Sequence, residues 1–96
     1  MITIDTESSI IISPPEELVI RTVEGFVKEV QAALSDAKSI FLNLIGVIEI
    51  DSAGFQVLIA IKNEATKRGI PLKIIGMSSE ADEIIALYGA QSFFEN

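Results

Sequence analysis

The hydrophobic period of this chain changes repeatedly along its length, and that alternation narrows the folds open to it. Near the start, Ile2 and Ile4 alternate with Thr3 and Asp5, and Ile10-Ile11-Ile12 follows Glu7-Ser8-Ser9. This is the pattern of two short strands, with a tight hairpin through Thr6 to Ser9. Ser13-Pro14-Pro15 ends the second strand, because proline offers no N–H to a ladder. From about residue 19 the apolar positions step by three and four (Val19, Val23, Phe26, Val27, Val30, Leu34), which predicts a helix. Arg21, Glu24, Lys28, Glu29 and Gln31 form its wet side. Gly25 costs that helix about 1 kcal/mol against alanine. It either admits a close neighbour or is a tolerated defect, and the second reading is preferred.

Ser39 to Leu44 is short, β-branched and aromatic, and reads as a buried strand, with Gly46 to Ile50 a connector after it. A second helix is predicted from about Ser52 to Lys67, capped by Gly69 and unable to continue past Pro71. Leu72 to Gly76 is the next strand. Ser79 is expected to cap a third helix with Ile84, Ile85 and Tyr88 inward and Gly89 closing it. The tail is expected to add a short edge strand through Phe93-Phe94. Helical stretches between strands imply crossover connections and parallel pairing. The expected fold class is therefore α/β: a small sandwich of about four or five strands in a mostly parallel or mixed sheet, with about three helices, all in one domain over residues 1–96.

Two absences limit the chemistry. The 96 residues include no cysteine and no histidine. Disulfides, thiolate catalysis, cysteine or histidine metal sites and the Ser-His-Asp triad are excluded. An enzyme would have to work with carboxylates, lysine or tyrosine alone, so no catalytic residue, cofactor or metal is expected. The net charge of −7 repels phosphate backbones and anionic lipid, so neither nucleic acid nor a membrane surface is an expected partner. Met1-Ile-Thr-Ile-Asp-Thr-Glu7 lacks the basic start of an export signal, and the longest apolar run, Val57 to Ile61, is far short of a bilayer span. A cytoplasmic location is the expectation.

The informative segment is Ile48-Glu49-Ile50-Asp51-Ser52-Ala53-Gly54-Phe55-Gln56. It brings an acid and a hydroxyl to the start of a helix, followed by two very small residues. Asp or Ser before a helix is the commonest N-cap and needs no function, and on the tetrapeptide alone that reading is the stronger. The other reading is a modification site. A helix start offers amide donors and partial positive charge to a phosphate, and Ala53 and Gly54 would leave the hydroxyl open to a visiting protein. The helix that follows carries Phe55, Leu58 and Ile59 on one side and Val57, Ala60 and Ile61 on the other. The second stripe packs on a neighbouring helix, which is favoured, or faces a partner.

Val47-x-x-Ile50-Asp51-Ser52-Ala53-Gly54-Phe55-x-x-Leu58, then Lys62 and Arg68-Gly69-x-Pro71-Leu72, resembles the STAS domain (sulfate transporter and anti-sigma factor antagonist), over roughly Leu18 to Gly89. In antagonist members the serine after the aspartate is phosphorylated by a kinase that is also the anti-sigma factor, and the phosphate breaks their complex. The resemblance implies Ser52 as phosphoacceptor; Asp51 is expected to orient its loop, and Ile48, Ala53, Gly54, Phe55, Gln56, Ile59 and Asn63 are the expected partner-binding surroundings. The implied partner is a protein: a serine kinase of the anti-sigma type, or an ATPase. Pro14-Pro15-Glu16-Glu17-Leu18 stands where antagonists carry Gly-Glu-Leu/Ile-Asp, and this looks more like the short STAS proteins found with chemotaxis kinases or lipid-transport ATPases, held as constitutive subunits. A nucleotide-binding STAS module is the remaining alternative, with Ser78 and Ser79 at a candidate groove edge.

Other charged groups read as structural. Glu80, Asp82 and Glu83 complement a helix dipole, and Lys62, Lys67, Arg68 and Lys73 are solvated helix-end charge. Tyr88 belongs to the core or its rim.

Overall fold

Strand pairing in the computed structural model, which describes residues 1–4 and 7–95, runs through Ile40, Leu42 and Leu44 at its centre. These residues lie on one face of β4 (Ser39–Leu44) and are buried to 1% exposure or less, whereas Ser39, Phe41 and Asn43 on the other face are half-buried. Such alternation places one sheet face on the core and leaves the other partly wet. β2 (Ser9–Ile12) lies parallel to β4, with Ile10 beside Ile40 and Ile12 beside Leu42, so the apolar face continues across the pair. β1 (Ile2–Ile4) returns antiparallel to β2, as the hairpin pattern predicts, although Asp5 and Thr6 of the connection lie outside the described residues. β6 (Leu72–Met77) closes the far side of β4 in parallel, giving a mixed sheet ordered β1-β2-β4-β6.

Two further strands, β3 (Glu17–Leu18) and β5 (Glu49–Ile50), form a separate parallel pair. Residues 46–50 are therefore not only a connector. Backbone bonds from Ile48 N–H and Glu49 N–H to the Glu16 carbonyl extend the pairing by a residue. A two-residue strand carries too little pattern to be seen in sequence.

The helices are α1 (Ile20–Ala33), α2 (Ser52–Arg68), α3 (Ser79–Leu87) and α4 (Gln91–Glu95). Gly54, Phe55, Leu58, Ile61, Lys62 and Ala65 make the buried stripe of α2. Val57, Ala60 and Ile61 face α1 across a groove that Val27, Val30 and Leu34 also line, so the second apolar stripe serves helix packing. A methyl group on Gly25 would meet nothing within 4 Å, so this glycine is the tolerated defect and not a point of close approach.

Three expectations need correction. Phe93-Phe94 is helical, not an edge strand: after the left-handed Gly89 (φ +63°) the chain winds into α4, where Phe94 is buried and its ring meets Phe93 edge-on at 5.3 Å. In a strand adjacent side chains point to opposite faces and one ring would be left in water. The cap of α3 is Ser78, whose hydroxyl accepts from Ala81 N–H at 3.1 Å, and Ser79 is already helical. Lys62 is not a solvated charge; only 5% of it is exposed, on the inward stripe of α2.

Candidate functional site

Asp51 is extended (φ −110°, ψ −174°) and serves as the N-cap of α2, its Oδ1 accepting from Gly54 N–H at 2.9 Å. The other carboxylate oxygen, Oδ2, accepts from Ile20 N–H at 2.9 Å, at the first residue of α1. One side chain thus serves the starts of two helices, reaching Ile20 from 31 positions further along the chain. The N-cap of α1 is Val19, which has no polar side chain to cap with. Its first amides are met instead by Asp51 and by Thr22, whose Oγ1 accepts from Val19 N–H and donates to the Glu17 carbonyl.

Those amides, Gly54 first and then Ile20, hold the Asp51 carboxyl below its ordinary pKa of 3.8. A group whose folded-state pKa is depressed stabilises the fold above its unfolded value and loses that contribution as pH falls through the folded one. Asp51→Asn can replace only one acceptor, because its NH₂ would face an N–H donor. We expect Asp51→Asn to lower the denaturation midpoint at neutral pH, although asparagine caps helices as well as aspartate does elsewhere. The gap between variant and wild type should shrink as pH is taken from about 7 to about 3 in urea titrations. Glu64, held low by its hydrogen bond from Arg68, has the same sign but is common to both proteins. A gap independent of pH would contradict the assignment.

Gly54 is small for a reason other than access. A Cβ there would lie 2.0 Å from the Leu18 carbonyl oxygen, so α2 sits directly against the β3 backbone. The expectation that Gly54 opens the hydroxyl to a visitor is corrected: it is buried, and it sets the approach of helix to strand. Ala53 is half-buried beside it.

Ser52 is the first residue of α2 and is exposed. The donors expected to cradle a phosphate there are largely committed, since Gly54 N–H, Ile20 N–H and, more weakly, Ala53 N–H serve the Asp51 carboxylate. Gln56 (exposed), Ile59 (half-buried) and Asn63 (exposed) lie four, seven and eleven positions beyond Ser52, so these four share one face of α2. Ile48 is exposed on the approach to β5. Phe55 belongs elsewhere: it is 5% exposed and its ring stacks on Tyr88 at 4.6 Å, so it supports the surface from beneath, with half-exposed Tyr88 as the rim. The candidate groove edge at Ser78 and Ser79 also changes character. Ser78 is buried with its hydroxyl engaged in the cap, and Ser79 Oγ donates to Glu80 Oε1 at 3.1 Å.

The start of α2 thus presents an exposed serine beside a carboxylate bound to backbone amides, at one end of a mixed α/β sheet. The STAS domain family model matches residues 1–96, and the chain belongs to that family. STAS domains are in general regulatory, non-enzymatic modules that mediate protein–protein contacts. Neither curated proteins nor solved structures gave a match to this chain. Among the described residues, no helix is long and apolar enough to cross a membrane, and no cluster of acidic side chains could hold a metal ion.

Proposed function

We propose that this chain is a cytoplasmic regulatory module that binds a protein partner through the exposed end of α2, and that phosphorylation of Ser52 releases the partner. The observation that carries the reading is the exposure of Ser52 directly after a carboxylate that backbone amides keep ionised. A phosphate adds about 1.5 to 2 negative charges. Placed beside Asp51, with the nearest amides already committed, that charge is repelled more than it is cradled. The gain of the unmodified complex is thus converted into a penalty. Partners of the matching class are a serine kinase of the anti-sigma type or an ATPase; the acidic net charge argues against nucleic acid.

Incubation with ATP and an extract of the source cells, followed by peptide mass mapping, tests the reading. One phosphate on the Ser52 peptide, absent from Ser52→Ala, is the expected result. A chain that stays unmodified while co-purifying stably with an ATPase would favour a constitutive subunit, in which the same surface holds its partner without a switch.

A further inference from the structure

A shallow groove of about 380 Å³ runs between β5 and α3, floored by Ile48, Ile50, Ile84 and Leu87. Ile48 is 60% exposed and Leu87 78%, and the groove brings these two exposed apolar side chains together on one surface. Its rim is of one sign: Glu49 on β5, and Glu80 and Glu83 on α3, with no basic residue among the described residues that line it. The described ion pairs, Arg21–Glu17, Lys28–Glu24 and Arg68–Glu64, include none of these three acids. Complementing a helix dipole accounts for Glu80 but not for Glu49, which is on a strand. Its neighbour in register across the parallel β3–β5 pair, Glu17, is an acid that is itself paired with Arg21. Three carboxylates thus ring exposed apolar side chains, and no described ion pair neutralises any of them.

From this charge pattern we infer that the β5–α3 groove docks an amphipathic helix of a partner protein, with leucine-like side chains on Ile48, Ile84 and Leu87 and lysine or arginine against Glu49, Glu80 and Glu83. Glu80, Glu83 and Leu87 follow one another at helical spacing on α3, so the acids meet one end of the incoming helix and Leu87 the other. A second copy of this chain is a poor occupant, since it would bring acid to acid at a net charge of −7. The groove adjoins the Ser52 end of α2 through Tyr88, the neighbour of Leu87, which stacks on Phe55. The inference rests on the reading of the chain as a binding module and does not require Ser52 to be phosphorylated.

The probe is a synthetic amphipathic peptide of leucine and lysine, about four turns long, titrated into the isotopically labelled chain while backbone amide shifts are followed. Shifts should be confined to residues 48–50 and 80–88, and affinity should fall at least about tenfold between about 0.05 M and 0.5 M salt. The double variant Glu80→Lys, Glu83→Lys alters only exposed side chains and should weaken binding about tenfold or more, whereas Glu29→Lys on the exposed side of α1 should leave it within about twofold. Shifts centred on the α1–α2 groove or the open sheet face would overturn the assignment, as would charge reversal without effect. Dimerisation through residues 80–88 in sedimentation runs without peptide would overturn it in favour of a second copy. Loss of the Ser52 switch with the peptide still bound would leave this inference standing and remove only the phosphorylation step.

Discussion

Replacing Gly54 by alanine should be the most damaging single-methyl change in the molecule. The added carbon would lie 2.0 Å from the Leu18 carbonyl oxygen and 2.9 Å from its carbon, both backbone atoms of β3. A flexible side chain could swing away, but a carbonyl cannot: its strand is tied to β5, and Asp51 N–H donates to the same oxygen at 3.3 Å. α2 must therefore lift from β3, which opens the packing of Leu18 and Leu58, both fully buried. Overpacking of this kind costs about 3 kcal/mol or more, and at roughly 4–8 °C per kcal/mol for a domain of this size the melting temperature should fall by about 12–24 °C. Gly25→Ala is the internal control. It adds the same methyl to a helix interior with open space around it and should stabilise by up to about 1 kcal/mol. Calorimetry on the two variants should give shifts of opposite sign; two shifts of the same sign would contradict the account of both glycines.

The second large effect concerns binding. With Ser52 the phosphoacceptor we propose, Ser52→Asp should weaken the affinity for a kinase purified on that activity by about 10- to 100-fold, because a new carboxylate is set beside one already ionised. Ser52→Ala removes the hydroxyl without adding charge, and should bind within about twofold of wild type. Both residues are tolerated at the first position of a helix, so neither variant should melt more than a few degrees from wild type. Equal affinity for wild type, Ser52→Ala and Ser52→Asp in calorimetric titrations would remove the switch.

The main elements were legible because each repeats its signal over several residues. Ile10 and Ile12, or Ile40, Leu42 and Leu44, mark a strand face by alternation, and Val23 to Leu34 marks a helix by its steps of three and four. Legibility failed where a signal was short or its cause lay far along the chain. β3 and β5 hold two residues each. Ser78 and Ser79 offer the same hydroxyl, and only geometry selects which of them caps. At the candidate site, the Asp-Ser-Ala-Gly box was visible as residues but its internal logic was not. Gly54 looks like an opening and is a point of contact with Leu18. Asp51 looks like the cap of the helix after it, and nothing local shows that it also serves Ile20. Phe55 shares a short stretch with exposed Ser52 and Gln56, yet one step around the helix turns its ring inward to Tyr88.

The shared carboxylate has a consequence for how the protein folds. The leading end of α1 stays unfinished until Asp51, 31 positions beyond Ile20, has folded back onto it. Helix one is completed by a residue of the second half, so order at its first turn depends on both. A fragment cut before Asp51 would fray at Ile20, and adding back the missing half as a separate peptide should restore order there.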